Sequence, residues 1–374
     1  MNNSRIIVAL WFLAIIAFAA AAQREVQTGA LILSTIVFAL LMGLYLMFGD
    51  VRIAEALPQF TRNGGEYGLP GFLFLLFVIL ALIARITNPV IAIVVVGATL
   101  WVPVGLWSRN EEALTPIQAV AGLAVLLIPL GVDVVLGARP DTTEMLLRLG
   151  AFALPALLIL LTTREQKSRL NFYFASAVLF IWYTVEFGAA PDVGLPATGS
   201  LIGYLKLALT VLFLYVVTLS QRLPEVGFTF SLNRRAWREV LINFVLFGVI
   251  AIPIVLITGF IKPSTVLPSL LEIVGRGVFI FLFIALPEEI LFRGVIHRYL
   301  ERVLRWSPLA TLILSSVIFG ASHLNNPPNV GYYFILATIA GFFYGRTFVR
   351  TGKVVPAALV HLAVDWMWSV LFAG

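Results

Sequence analysis

Four side chains that can hold or transfer protons lie in stretches apolar enough to enter a lipid bilayer. Glu288 and Glu289 are adjacent, and His323 and His361, two of the three histidines in the sequence, follow them. A charged side chain at the centre of a membrane helix costs about 2.5–3.5 kcal/mol on insertion scales, so such residues usually serve a function. We therefore interpret these residues as parts of one active site.

The first informative stretch is PEEILFRG at residues 287–294. Glu289 and Arg293 share one face of a helix, with the acid ahead of the base, which is the better order for an ion pair. Glu288 points about 100° away and is free of that pair. Pro287 can start or kink a helix, which favours both acids in a first turn. A solvated acidic turn at a membrane boundary is the alternative for this stretch alone.

The second stretch is FGASH at residues 319–323, which places Phe319 and His323 one turn apart at the end of an apolar helix. The small residues around them let neighbouring helices approach closely. Taken alone, His323 is more typical of a hydrogen-bonded packing histidine than of a catalytic one. Its position relative to Glu288 favours the catalytic interpretation.

A helical hairpin would bring these two stretches together. A helix over 288–304 and a returning helix over 309–323 have arms of about 23 Å at 1.5 Å per residue, so Glu288 and His323 meet at one depth. The lower arm carries polar residues and is expected to leave the hydrocarbon, so that the site opens toward the cytoplasmic half; these residues are Arg293, His297, Arg298, Glu301, Arg302 and Arg305.

The third stretch is HLAVD at residues 361–365, which puts His361 and Asp365 on one face of the last apolar segment. Residues four apart on a helix are neighbours, so the pair could bond directly. A structural hydrogen bond between helices is the alternative for this pair alone.

Composition defines the broad class. Hydrophobic residues make up 60% of the 374 residues and charged residues only 12%, which is far from an ordinary soluble domain. The net charge of +6 comes from Lys and Arg in short loops between apolar runs, a pattern that encodes membrane orientation rather than nucleic-acid binding. The sequence has no cysteine, which excludes disulfides and thiolate metal sites.

We count about thirteen apolar segments close to the ~20 residues that a membrane-spanning helix needs. This predicts an all-α, polytopic transmembrane bundle. The predicted spans are 6–22, 28–48, 69–85, 89–107, 115–136, 144–161, 170–187, 199–219, 239–261, 270–292, 307–323, 330–348 and 354–372.

The basic residues also predict a topology. With the amino terminus in the cytoplasm, most of the 25 basic residues fall on the cytoplasmic side, as the positive-inside rule requires. We expect an integral protein of the plasma (inner) membrane of a prokaryote. The first segment could instead be a signal peptide, since Ala20 to Ala22 offers a cleavage site, but a retained anchor is the simpler interpretation.

A basic polar break at about residues 220–238 separates two predicted domains. Residues 1–220 would form an amino-terminal transmembrane bundle of unknown role. Residues 221–374 would contain the three motif stretches.

These stretches resemble a known family. EEILFR, FGASH and HLAVD match, in order, the EExxxR, FxxxH and HxxxN/D motifs of the CPBP intramembrane proteases, also called the CAAX prenyl protease 2 or Abi family. The resemblance covers roughly residues 225–372 and leaves the amino-terminal part outside.

The resemblance implies peptide-bond hydrolysis within the membrane. Glu288 would be the general base that activates water, and His323 would share that water. Arg293 would clamp Glu289, and Phe319 would support the site. His361 and Asp365 would stabilise or orient the oxyanion, a role that preformed donors usually fill. Where several relatives carry Asn, this chain has Asp365, and an ionised carboxylate cannot donate a hydrogen bond. Asp365 must therefore be protonated, orient His361 or bind a cation.

The family has been described both as metal-dependent and as glutamate-type. A zinc-like set of nitrogen and oxygen ligands could be formed by Glu288, His323, His361 and Asp365. The sequence has no HExxH pattern, and His297 lies on a basic face where a surface role is expected. We favour the metal-independent mechanism, which requires no cofactor, over one that uses zinc or another divalent metal.

The expected partners are the lipid bilayer and a membrane-associated peptide or protein substrate, with no nucleic acid. Two other functions share the same residues. One is a noncatalytic membrane scaffold or immunity protein of the same fold. The other is a proton- or cation-coupled transporter, for which the motifs have no counterpart before residue 220. Gly341 and Gly345 form a small-xxx-small pattern that we interpret as a packing face.

Overall fold

The computed structural model describes residues 3–22, 28–53, 226–259, 262–264, 268–324 and 329–373, together with the single positions 72, 75, 207, 210, 211 and 214. The chain divides into two compact units, one of Met1–Ala17 with Glu225–Gly374 and one of Phe18–Pro224. The described residues are helical apart from turns and one pair of two-residue strands.

The amino-terminal part contains two described helices, α1 (Asn3–Ala22) and α2 (Thr28–Gly49). Both are apolar along their length, and they coincide with the first two predicted spans. The six spans predicted between residues 69 and 219 lie outside the described residues apart from single positions, so the total of about thirteen stays a prediction.

Helix α3 (Arg234–Ile257) begins five residues earlier than the span predicted from residue 239. The reason is a local cap: the side chain of Asn233 accepts a hydrogen bond from the amide of Ala236 at 2.9 Å. Arg234, Arg235 and Arg238 therefore belong to the helix. After α3, β1 (Lys262–Pro263) pairs antiparallel with β2 (Phe372–Ala373) at the carboxyl end.

The longest described helix is α4 (Leu270–Leu304). Ser269 and Glu272 form a capping box that starts it. Two π-helical segments, Ile280–Ala285 and Ile290–His297, flank a short α-helical turn over Leu286–Glu289. That turn carries both adjacent acids. Pro287 has no amide hydrogen, and a wider π turn is one way to accommodate the hydrogen bond it removes.

The hairpin turn lies where the sequence predicts it. α4 ends at Leu304, Arg305 adopts a left-handed conformation with φ of 49°, and Ser307 caps α5 (Pro308–Ala321). The helices that follow are α6 (Val330–Thr351), which ends at Gly352 with φ of 67°, and α7 (Val354–Leu371).

Among the described residues, three helices are long and apolar enough to cross a membrane: α3, α4 and α7. Shorter apolar helical stretches cover Arg5–Ala20, Thr35–Gly49 and Pro308–Ala321. The protein is therefore an integral membrane protein with a helical fold.

Glycines set the spacing between α5 and α6. A Cβ at Gly320 would overlap the Thr338 hydroxyl, and a Cβ at Gly341 would lie 2.9 Å from Cδ1 of Phe319. At Gly345 it would lie 2.6 Å from Cδ1 of Leu312. The backbones of α5 and α6 can approach this closely because these positions carry no side chain.

Candidate active site

A fully buried ion pair forms the base of the site. Nε of Arg293 lies 3.0 Å from Oε2 of Glu289, and the two side chains are 1% and 0% exposed. The pair spans one helical turn of α4, as the sequence predicts. Because both groups are shielded from water, each needs the other to offset its desolvation.

The Arg293 guanidinium has further contacts on α5 and α6. Nη2 donates a hydrogen bond to the carbonyl oxygen of Gly341 at 2.7 Å. The guanidinium carbon lies 5.0 Å from the centre of the Phe319 ring and 5.8 Å from that of Tyr344. These contacts hold a cation among aromatic faces, which attract it through their quadrupoles.

The imidazole of His361 lies between carboxylates. Nδ1 is 3.2 Å from Oε1 of Glu289, and Nε2 is 3.2 Å from Oδ2 of Asp365. Nε2 also lies 3.9 Å from Oε2 of Glu288. A neutral imidazole has a single N–H, so these contacts require a second proton, either on the imidazole or on a carboxyl group.

Aromatic rings fix the plane of His361. The Tyr344 ring stacks on it with centroids 4.6 Å apart and an interplanar angle of 17°, and Phe319 meets it edge-on at 5.7 Å. His361 is only 3% exposed. Its orientation is therefore set by contacts at both ring nitrogens and by two neighbouring aromatic rings.

His323 approaches the same region through Phe319, whose ring centroid lies 4.9 Å from its own. Nδ1 of His323 lies 3.0 Å from the Phe319 carbonyl oxygen and 3.0 Å from the Ser322 hydroxyl oxygen, an arrangement that suits the tautomer with its proton on Nδ1. Ser322 also donates to that carbonyl, at 2.6 Å. This tautomer makes Nε2 of His323 a proton acceptor.

A cavity of about 600 Å³ opens beside these groups, and its lining includes His323, His361 and Asp365. Aromatic and aliphatic side chains form most of the rest of its wall. Volumes of about 300–1,000 Å³ with a few polar groups are typical of small-molecule and cofactor sites.

Exposure separates the two adjacent acids. The side chain of Glu288 is 24% exposed and that of Asp365 35%, whereas Glu289 is sealed. Glu288 and Asp365 thus keep part of their side chains exposed, and Glu289 does not. The contact that connects Glu288 to the cavity runs through His361.

His297 corrects a prediction from the sequence. It was expected on a solvated basic face, but it is 3% exposed, and Arg293 on the same predicted face is 0% exposed. Nδ1 of His297 contacts the Ser315 hydroxyl at 3.0 Å, and the ring meets Phe348 edge-on at 5.6 Å. Glu301, Arg302 and Arg305 are exposed as predicted. Arg293 and His297 are buried because α5 and α6 pack on this part of α4.

The residues do not assemble a metal centre. Within the described ranges, no group of three or more His, Asp and Glu side chains converges as a metal ion requires. We therefore derive no step through a metal.

Two residues of the site were missed by sequence reasoning. Tyr344 stacks on His361, and it lies in the GFFYG stretch, where its position between two packing glycines was the available signal. Arg276 lines the cavity and lies outside the three motif stretches. The Glu289–His361 contact joins residues 72 positions apart, and no local pattern indicates it.

A protein-family model matches part of the chain. The family described as Type II CAAX prenyl endopeptidase Rce1-like matches residues 270–367, a segment that contains all three motif stretches. Comparison with curated proteins returned no match, and neither did comparison with solved structures. The match confirms the resemblance seen in the motifs: residues 270–367 are similar to the CAAX protease (CPBP) family.

Proposed function

We propose that this protein is an intramembrane endopeptidase that hydrolyses peptide bonds of membrane-associated proteins or peptides with a water activated by Glu288 and His323. The Rce1-like family supports a CAAX-type intramembrane endopeptidase. The assignment of roles to individual residues is our proposal.

The observation that carries the proposal is the placement of His361. Its Nε2 lies 3.2 Å from Asp365 and 3.9 Å from Glu288, while its other nitrogen contacts a carboxylate that is buried and paired with Arg293. Charged groups of this density are expensive among apolar helices and are typical of functional sites.

The register of the α4–α5 hairpin supports a shared water between Glu288 and His323. Phe292 packs edge-on against Phe319 at 4.9 Å, and His297 contacts Ser315 at 3.0 Å. Because the two helices are antiparallel, a residue further along α4 pairs with a residue earlier along α5. Continuing this register by one turn brings Glu288 to the level of His323.

The reaction follows from these positions. Glu288 takes a proton from water, whose oxygen adds to the substrate carbonyl carbon and forms a tetrahedral oxyanion. The carbon–nitrogen bond then breaks, and the amine leaves with the proton held by Glu288. The acceptor nitrogen of His323 orients the water before attack.

His361 and Asp365 act on the oxyanion. An N–H on Nε2 of His361 is a preoriented donor that stabilises developing negative charge in a site shielded from water. Asp365 lies 3.2 Å from the same nitrogen, so it accepts this N–H and orients the ring before attack, and the oxyanion replaces it as acceptor when the intermediate forms. Of the roles that the sequence left open for Asp365, orientation of His361 agrees best with the contact.

Glu289, Arg293 and Phe319 support the site by holding the other side chains in place. The buried ion pair fixes Glu289, which in turn holds Nδ1 of His361. Phe319 lies against Arg293, His323 and His361, and keeps the three at fixed spacing.

We further propose that the protease domain occupies residues 221–374 and that residues 1–220 form a separate bundle. The compact-unit boundary between Pro224 and Glu225 supports this division, except that residues Met1–Ala17 group with the carboxyl-terminal unit. A prokaryotic plasma membrane with a cytoplasmic amino terminus is the location that we propose from the distribution of basic residues.

The test compares new protein termini in membranes of cells that carry wild type, Glu288→Gln or Glu301→Gln at matched expression. Glu301 is an exposed acid on the same helix and serves as the control. We expect specific termini to disappear with Glu288→Gln and to persist with Glu301→Gln. If no termini change while a cellular phenotype remains, the scaffold or transporter function replaces the protease.

A further inference from the structure

A tyrosine of α6 forms part of the cavity wall at its catalytic end. Tyr344 lines the cavity together with His323, His361 and Asp365. Its ring stacks on the His361 imidazole, with centroids 4.6 Å apart and an interplanar angle of 17°. Because the hydroxyl is bonded directly to that ring, it belongs to the same end of the cavity as the proposed catalytic group.

The Tyr344 hydroxyl makes no hydrogen bond to the residues that the structure describes. A buried tyrosine hydroxyl usually finds a partner, so this one calls for an explanation. Fully shielded polar atoms without a partner do occur in this part of the chain, on Thr311 for example, but the Tyr344 oxygen is not among them. The oxygen therefore reaches the cavity, where a ligand can accept its hydrogen.

Several contacts fix the direction of the Tyr344 ring besides the stack on His361. Phe319 meets the ring edge-on at 5.8 Å, and the guanidinium carbon of Arg293 lies 5.8 Å from its centre. The next residue, Gly345, holds α6 close to α5, since a Cβ there would overlap a side chain of α5. A donor on such a rigid element needs no reorganisation when charge develops next to it.

The proposed oxyanion has few donors within the catalytic group. Nδ1 of His361 contacts Glu289 at 3.2 Å, so Nε2 is the nitrogen that faces the substrate. An oxyanion accepts more than one hydrogen bond, whereas Glu288 and Asp365 cannot donate while they are ionised. A tyrosine hydroxyl keeps its proton at neutral pH and can supply a further hydrogen bond.

The other hydroxyls of the cavity wall are less suited to this role. The Ser369 hydroxyl donates to the Trp366 carbonyl oxygen at 3.0 Å, and Ser369 lies about two turns beyond His361 on α7. Tyr333 comes eleven residues before Tyr344 on α6, which is about 16 Å along the helix axis. Tyr344 is the one that stacks on the imidazole.

We propose that Tyr344 is a further catalytic residue, whose hydroxyl donates a hydrogen bond to the substrate carbonyl oxygen and to the oxyanion that forms from it. This rests on the proposed protease function. The hydroxyl and Nε2 of His361 act on one oxygen from two helices, α6 and α7. The tyrosine keeps its proton throughout, and its hydrogen bond strengthens as negative charge develops on the substrate oxygen.

The experiment measures cleavage of internally quenched peptides of randomised sequence by the full-length protein in lipid vesicles. Tyr344→Phe keeps the ring beside His361 and removes only the hydroxyl. We expect kcat to fall about 10²-fold, as for the loss of one oxyanion donor. KM should stay nearly unchanged, because the lost interaction is made mainly in the transition state. Tyr332→Phe is the matched control, since Tyr332 is an exposed tyrosine on the same helix that does not line the cavity.

Stability measurements separate the hydroxyl from the ring. Tyr344→Phe should unfold at the wild-type temperature in detergent micelles, whereas Tyr344→Leu should lose stability as well as activity because the contacts with His361 and Phe319 go. A wild-type kcat in Tyr344→Phe would overturn the proposal. A raised KM at unchanged kcat would also overturn it, and so would a loss of activity matched by a loss of stability, which would show a merely structural role.

A binding measurement distinguishes the failure of this proposal from that of the protease function. Phosphinic peptides of randomised sequence carry a tetrahedral centre with an anionic oxygen, which imitates the oxyanion. Tyr344→Phe should weaken their binding at least about tenfold, as expected for a contact specific to the transition state. Binding of ordinary peptides to Glu288→Gln protein should not change when Tyr344→Phe is added.

The outcomes of the two assays are separable. If wild type cleaves no peptide but binds phosphinic peptides through the Tyr344 hydroxyl, the protease function fails and the oxyanion donor stands. If wild type and Tyr344→Phe bind phosphinic peptides equally well, the donor is refuted, whether or not the protein is a protease.

Discussion

Replacing Arg293 with Met tests how far the site depends on its buried ion pair. The substitution removes the cation 3.0 Å from Glu289 and leaves that carboxylate at 0% exposure without its partner. Breaking a buried pair by removing one member costs about 3–5 kcal/mol. The hydrogen bond to Gly341 and the contacts with the Phe319 ring are lost in the same change. We expect the free energy of unfolding to fall by about this amount.

The double variant Glu289→Gln/Arg293→Met gives the sharper result. It replaces both charges with neutral side chains of similar size, which for buried pairs is often nearly neutral. We therefore expect the double variant to be at least about 2 kcal/mol more stable than the sum of the two single losses predicts. Wild type and the three variants are unfolded by denaturant in detergent micelles, and tryptophan fluorescence reports the transition.

Losses that add within about 0.5 kcal/mol would refute this reasoning, since independent sites add to that precision and coupled ones do not. Arg293→Lys is the internal control. It keeps the charge but loses the planar fork that reaches both Glu289 and Gly341, so it should be less destabilising than Arg293→Met.

Three further predictions concern packing, orientation and metal dependence. Gly341→Ala should destabilise the protein by about 1–3 kcal/mol because its Cβ would press on Phe319. Gly331→Ala, where a Cβ would meet open space, should change stability by less than about 0.5 kcal/mol. Thermal unfolding of both variants measures these differences. Asp365→Asn should retain more activity than Asp365→Ala, since an amide oxygen can still accept from His361, and peptide cleavage rates that rank the other way would contradict the orienting role. Chelators should leave cleavage unchanged, and a loss that added zinc restores would show a metal requirement.

The local geometry of the site could be predicted from the sequence. Residues four apart on a helix must be neighbours, so the Glu289–Arg293 and His361–Asp365 contacts follow from spacing alone. The turn at Arg305 follows from two arms of similar length. These features depend only on helix geometry and on where the apolar segments end.

Contacts between distant segments could not be predicted in the same way. His297 was assigned to a solvated face because its neighbours along α4 are basic, yet Ser315 and Phe348 bury it. Periodicity indicates that a face is polar, and it does not indicate whether another helix brings a hydroxyl or a carbonyl to satisfy that face. Glycines such as Gly341 are the only trace in the sequence of how closely α6 approaches.

The backbone of α4 explains how two adjacent acids take different environments. Side chains next to each other on a helix diverge by about 100°, so Glu289 faces Arg293 and Glu288 does not. The turn Leu286–Glu289 that carries them is α-helical, and a π-helical segment lies on each side of it. π-helical segments cost stability, and they are found mostly where function requires side chains to point to a different side of the helix. In α4, the direction in which each side chain points buries Arg293 and His297. Glu288 stays partly exposed next to His361. One acid therefore holds the imidazole, and the side chain of its neighbour keeps a partly exposed position beside the same ring.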